Sequence, residues 1–225
     1  AVAAGAKVCF SYRRDSAAAA ALCEALCASG GEVIGVQADA IDERSPLSLL
    51  DAAEAKFGPV TMLVNNAGIT GHYGPFHEVP IDALRHTFEV NTIGPMRMTR
   101  EVVRRWRSAG IHGRIVNISS IASTLGSPNE YVHYAASKAA IDAFTIGLGK
   151  ELGPVGIRVN AIAAGTAATE IHAAFGAGDR VARVAPLIPM QRAADPAEIA
   201  SAALWLLSDQ ASYVTGTVLK VSGGT

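Results

Sequence analysis

Tyr134 and Lys138 stand four residues apart in the run N-I-S-S-I-A-S-T-L-G-S-P-N-E-Y-V-H-Y-A-A-S-K, residues 117–138. On a helix this spacing puts both side chains on one face, where a lysine ammonium can stabilise a phenolate and lower the phenol from its ordinary value of about 10. A tyrosine so placed can give or take a proton near neutrality. Ser120 follows a strand-like run, at the strand end where α/β sheets bind ligands, and its hydroxyl could hold a carbonyl oxygen beside the phenol. Taken alone, the Tyr/Lys pair has a second reading as a surface contact along a helix.

The elements that must position these residues follow from the pattern around them. Short β-branched runs alternate with longer Ala/Leu-rich stretches throughout, the pattern of a parallel sheet covered by helices on both faces, so the predicted fold class is α/β, doubly wound and Rossmann-like. Strands are predicted over Lys7–Tyr12, Glu32–Gln37, Met62–Asn65, Arg114–Ser119, Ile157–Ala161 and Val218–Val221. Most are continuous apolar runs, as expected of strands buried on both sides. Helices are predicted over Ser16–Ala28, Ser45–Phe57, Ile81–Ser108, Tyr131–Leu152 and Pro196–Leu207, the first capped by Asp15 or Ser16 and the last by Asp195. Residues 1–225 read as one dinucleotide-binding and catalytic domain, in which Ala164–Pro189, with Gly176, Gly178, Pro186 and Pro189, reads as a substrate lid.

Composition narrows the function. Nineteen Lys+Arg against twenty Asp+Glu leave a net charge of −1, so no global field favours nucleic acid or an anionic membrane. Arg97, Arg100, Arg104 and Arg107 form a helical stripe read as a solvated face. No apolar run approaches the roughly 20 residues of a membrane span, and the start AVAAGAKV lacks a charged leader, so a soluble, cytoplasmic protein is expected. Cys9, Cys23 and Cys27 suggest neither a disulfide framework nor a zinc ribbon. His72 and His77 lack the companions of a metal set and read as substrate contacts or plain loop residues, so no metal is expected. A G-x-S-x-G elbow is absent, which argues against a hydrolase on a similar sheet.

Several motifs, in a fixed order along the chain, resemble those of the short-chain dehydrogenase/reductase family. Asn65-Asn66-Ala67-Gly68 resembles its N-N-A-G, and Asn91 in Val90-Asn91-Thr92-Ile93-Gly94 matches its helix asparagine. Ser120, Tyr134 and Lys138 match its catalytic serine and Y-x-x-x-K, while Thr215-Gly216 and Ser222-Gly223-Gly224 resemble its closing elements, with Ser222 in place of the usual acid. The resemblance implies hydride exchange between a nicotinamide cofactor and an alcohol or carbonyl substrate. It makes Tyr134 the general acid/base and has Lys138 tune Tyr134 and hold the nicotinamide ribose. Ser120 orients the substrate oxygen, and Asn91 keeps a water between Lys138 and solvent. Pro95 inside the predicted helix frees a carbonyl near Asn91, which suits such a site. The resemblance also implies a homotetramer or homodimer.

The cofactor-binding set expected on this basis is Arg13, Arg14, Asp39, Asn65, Ala67, Gly68, Tyr134, Lys138, Gly165 and Thr169. An NAD site wants an acid after the strand that ends near Tyr12, whereas arginine accommodates a 2′-phosphate; Arg13 and Arg14 therefore favour NADP(H) over NAD(H). Asp39 resembles the family's adenine-binding aspartate, although an acid after a strand is also a turn former. Ala164 stands where the family's P-G-x-x-x-T has proline, which should loosen that loop while Gly165 and Thr169 remain. Residues 1–6 read as the tail of a helix, so the chain begins inside a βαβ unit, and a first strand with its glycine-rich turn is expected ahead of residue 1. Neither G-x-G-x-x-G nor G-x-x-x-G-x-G occurs within the chain. The alternative is a non-catalytic scaffold of the same fold that cannot hold a dinucleotide.

Overall fold

Ala-rich helices and short apolar strands assemble into two parallel ladders in the computed structural model, which describes residues 1–169, 171 and 178–225. Strand β1 (Val8–Tyr12) leads through helix α1 (Ser16–Ala28) to β2 (Val33–Gln37), and the two strands pair in parallel with Val8 opposite Val33. Helix α2 (Ser45–Phe57) connects to β3 (Met62–Asn65). The second ladder runs β3-β4-β5-β6, with β4 at Arg114–Ser120, β5 at Arg158–Ala164 and β6 at Val218–Val221, again all parallel.

The six strands expected in one sheet thus fall into a pair and a quartet, because no ladder hydrogen bond joins β1 to β3. Among the described residues no strand bridges them. Two consecutive side chains on one strand reach opposite faces, and the cores show it. Ile115 and Val159 pack with Leu50, Val102 and Trp106 on one face, while Val116 and Ile162 pack with Ala203, Leu206 and Leu207 on the other. Helices therefore cover both faces of the quartet.

Local chemistry sets the helix ends. The Asp15 carboxylate accepts from the Ala18 N–H and starts α1; at α8 (Pro196–Leu207) the Asp195 carboxylate accepts from the Ala197 N–H, while Glu198 accepts from the Asp195 N–H. The single helix predicted over Ile81–Ser108 is instead α3 (Ile81–Phe88), a π turn (Glu89–Ile93) and α4 (Gly94–Ala109). Pro95 has no N–H for the Asn91 carbonyl, and the chain widens there so that Gly94 N–H donates to Glu89 O, five residues back. Helix α6 (Val132–Leu152) begins one residue after the predicted start, with Tyr131 as its N-cap, and β5 continues three residues past the predicted Ala161. Among the described residues two short helices add to the predicted set, α5 (Ala122–Leu125) and α7 (Arg180–Val184). Of the predicted lid, residues 170 and 172–177, including Gly176, lie outside the described residues.

The arginine stripe is not a bare cationic face. Arg97 reaches Glu89 at 3.3 Å and Arg104 reaches Glu101 at 2.7 Å; Arg105, which the stripe reading omits, joins Asp51, Glu54 and Glu101 and ties α2 to α4. Among the described residues no helix is long and apolar enough to cross a membrane, and no group of three metal-ligating side chains could hold an ion.

Candidate active site

Strands β4 and β5 end side by side, with Ser120 opposite Ala164, and a cavity of about 550 Å³ opens at that end. Its size is that of a small-molecule site, for which roughly 300–1,000 Å³ is usual. Ser120 closes β4, and its Oγ accepts from the Ala122 N–H at 3.1 Å. Helix α6 brings Tyr134 and Lys138 to the same cavity, their i,i+4 spacing placing both on one side, with the lysine Nζ 5.8 Å from the centre of the tyrosine ring. Lys138 is 4% exposed and donates to Ile118 O at 2.8 Å.

The electrostatics differ from the sequence reading in one respect. Burial pushes the Tyr134 phenol above its ordinary range, and the groups opposing that rise are Ser120, by a side-chain hydrogen bond, and Arg180, by its charge. Lys138 is expected to do this work from spacing alone. Burial instead draws its own ammonium down to about 8, with only the Asp142 charge opposing, so it is a weaker cation than a surface lysine.

Asn91 is held within the π turn and is 1% exposed. Its amide donates to Ile69 O at 2.8 Å and to Ser137 Oγ at 3.0 Å, and its Oδ1 accepts from Ile69 N–H at 2.8 Å. It thereby fixes the loop after β3 to α6. Gly68 in that loop packs close to both groups: a Cβ there would come within 3.3 Å of Lys138 Nζ and 3.4 Å of Asn91 Oδ1. Gly165 is required by a closer approach, since a Cβ would meet Ser222 Cα at 2.6 Å. Gly68, Gly165 and Thr169 all line the cavity.

Other expected residues stand elsewhere. Arg13 and Arg14 follow β1, are exposed and, among the described residues, make no ion pair; Asp15 spends its carboxylate on capping α1. Asp39, after β2, forms a turn, its Oδ1 accepting from Ile41 N–H at 3.2 Å. None of these three lines the cavity. Asn65 turns its amide inward, donating to Thr99 Oγ1 at 3.0 Å and to Asn117 Oδ1 at 2.8 Å, so both its hydrogens serve the fold. Ala67 is exposed and off the cavity wall, whereas its neighbour Asn66, passed over in the sequence reading, lines it. Arg180 and Tyr131 also line the cavity. The N-N-A-G motif could have pointed to Asn66; no local signal points to Arg180.

The residues present fit a nicotinamide group in part. Gly68 and Lys138 border the cavity side by side, a wall that a flat ring and ribose could approach, and Arg13 and Arg14 make no ion pair among the described residues.

Comparison with known proteins agrees along the whole length. The family model described as enoyl-(acyl carrier protein) reductase matches residues 1–225. The chain is 41% identical over 222 residues to the uncharacterized oxidoreductase YgfF of Escherichia coli, covering 98% of this chain and 90% of that protein. It is 39% identical over 221 residues to 3beta-hydroxysteroid dehydrogenase 1 of Eggerthella lenta, covering 98% and 84%. Among solved structures, a blue fluorescent protein from a metagenomic library in complex with NADPH superposes with a TM-score of 0.86 at 31% identity, over 99% of this chain and 88% of that one. With helices on both faces of a parallel sheet, and with relatives of this kind across its full length, the chain belongs to the short-chain dehydrogenase/reductase family of oxidoreductases.

Proposed function

We propose that this chain exchanges a hydride between NADP(H) and an alcohol or carbonyl substrate, with Tyr134 as general acid/base and Ser120, Lys138 and Asn91 completing the set. The observation that carries the reading is the meeting of the Ser120 and Tyr134 side chains in one cavity with Lys138 buried beside them. In the reducing direction Tyr134 donates its hydroxyl proton to the substrate oxygen, which Ser120 holds by a second hydrogen bond. A phenol raised by burial is a donor that keeps its proton at neutral pH until the oxygen becomes basic. Lys138, near Tyr134 and with a proton held only to about pH 8, is suited to restore it. Asn91 keeps the loop carrying Gly68 against α6 and so fixes the wall on which a cofactor ribose would rest. A bound nicotinamide supplies or takes the hydride, and Lys138, Tyr134, Gly68, Gly165 and Thr169 would hold that end of it.

Preference for NADP(H) rests on Arg13 and Arg14, exposed after β1 and free of ion pairs among the described residues. A relative by structure was solved with NADPH, which supports the same choice. The test is a fluorescence titration of the purified protein with NADPH and with NADH. NADPH is expected to bind at least about tenfold more tightly, one lost charge-assisted contact being worth roughly 1.5–3 kcal/mol. Arg13→Gln/Arg14→Gln should remove that difference while leaving NADH binding in place. Binding of neither nucleotide would leave the scaffold reading instead.

A further inference from the structure

Glu130, in the turn before α6, is clasped by α7. Arg180 Nε donates to one carboxylate oxygen at 2.9 Å and an Arg183 guanidinium nitrogen donates to the other at 2.7 Å. The Glu130 and Arg180 side chains are only 17% and 15% exposed, so the pair is largely out of water. Held there, the Arg180 guanidinium lies 5.7 Å from the centre of the Tyr131 ring and lines the cavity. Tyr131 is 1% exposed and meets Tyr134 edge to face, ring centres 6.3 Å apart. Arg180 and Tyr134 thus both neighbour the Tyr131 ring, and a fixed cation acts on a buried hydroxyl through a medium that screens less than bulk water.

We propose that Arg180, fixed by Glu130, is a positioning residue for Tyr134, acting across the Tyr131 ring to favour the phenolate and so to make the phenol a readier proton donor. The other charged and titratable groups of this region are few among the described residues. Helix α6 contributes Lys138, with Asp142 behind it, and His133; the loop after β3 contributes Tyr73, edge-on to Tyr131 at 5.3 Å, and His72; Arg183 and Asp179 flank Glu130 on the α7 side. Lys138, drawn down to about 8, has already lost its proton where a phenol raised by burial titrates, which leaves Arg180 as the cation whose charge opposes the rise of Tyr134. Glu130 stays ionised to hold it: burial works to raise that carboxyl, and the hydrogen bonds from Arg183 and Arg180 outweigh burial and keep it below the ordinary carboxylate range. The proposal deepens the hydride-transfer reading, since it is Tyr134's role there that gives the tuning its use.

The experiment needs neither nucleotide nor substrate. Protein labelled with 13C at the tyrosine Cζ is titrated by NMR, and the Tyr134 signal is assigned by its loss in Tyr134→Phe. Arg180→Gln is expected to raise the Tyr134 midpoint by about half to one pH unit, less than the 1–3 units of a directly contacting charge, and Arg180→Lys to restore most of the difference. Arg183→Gln, which leaves Arg180 on Glu130, should leave the midpoint within about 0.2 unit of wild type, since the Arg183 side chain is 47% exposed, screened by water and off the cavity wall. Near-UV circular dichroism checks that each variant is folded, and Arg180→Met replaces Arg180→Gln if the latter is not. An unmoved midpoint in a folded Arg180 variant overturns the proposal, as does an equal rise in Arg183→Gln. A protein that shows the shift yet binds no nucleotide counts against the hydride-transfer reading alone.

Discussion

Lys138 is asked to be both buried and charged, and the two demands oppose each other. The unfolded chain holds its proton up to about pH 10.5, whereas the folded chain releases it near 8. Between those values the unfolded state binds more protons, so the stability attributable to this residue rises as pH climbs from 8 to 10.5; below 8 both states are protonated and the penalty is constant. Its full size is about 3 kcal/mol. The difference in unfolding free energy between wild type and Lys138→Met, measured in urea at pH 7.5 and pH 10, should therefore move in favour of wild type at the higher pH. A difference independent of pH would refute this account of the residue. The spacing of Tyr134 and Lys138 was legible because a helix turns i,i+4 into adjacency. That Ser120 and Arg180 oppose the burial of Tyr134 was not, because the second depends on α7 docking fifty residues away on Glu130.

At the scale of elements, legibility followed the local signals. Helices α1, α2 and α8 and strands β3 and β6 begin and end where predicted, for caps, prolines and the limits of apolar runs are written in neighbouring residues. The π turn around Asn91 was legible only as a disturbance: proline announces a lost hydrogen bond but not how the chain will rearrange around it. The loop after β3 shows how tightly elements are fitted beside the site. Gly71 has φ +73°, and a Cβ there would come within 2.7 Å of His133 Nε2 on α6, with Thr87 on α3 closer still. Gly71→Ala should cost about 2–4 kcal/mol, the sum of a left-handed backbone penalty and overpacking. Gly110→Ala, at φ +65° after α4 with nothing within 4 Å of the added carbon, should cost only about 1 kcal/mol. Chemical denaturation of the two variants compares them directly, and equal losses would show that the contact with α3 and α6 is not what Gly71 serves.

For the whole molecule, the parallel α/β architecture was legible from alternation alone. What alternation could not give was how the β1–β2 pair is attached to the rest. With no ladder bonds to the quartet, it is joined through α2, whose Leu50 enters the quartet's core and whose Asp51 and Glu54 meet Arg105 of α4. A two-stranded ladder is marginal by itself, whereas β4 and β5 are flanked by strands on both sides and covered on both faces. The molecule should therefore open in two steps. Amide hydrogen exchange is expected to be fast across residues 8–37 and slow across β4 and β5, with the first group governed by a local opening well below the global unfolding free energy. Uniform protection across both ladders would mean that side-chain packing alone welds them into one cooperative unit. On the proposed reading Arg13 and Arg14 would grip the nucleotide from the ladder expected to open first, so that opening and nucleotide binding would compete.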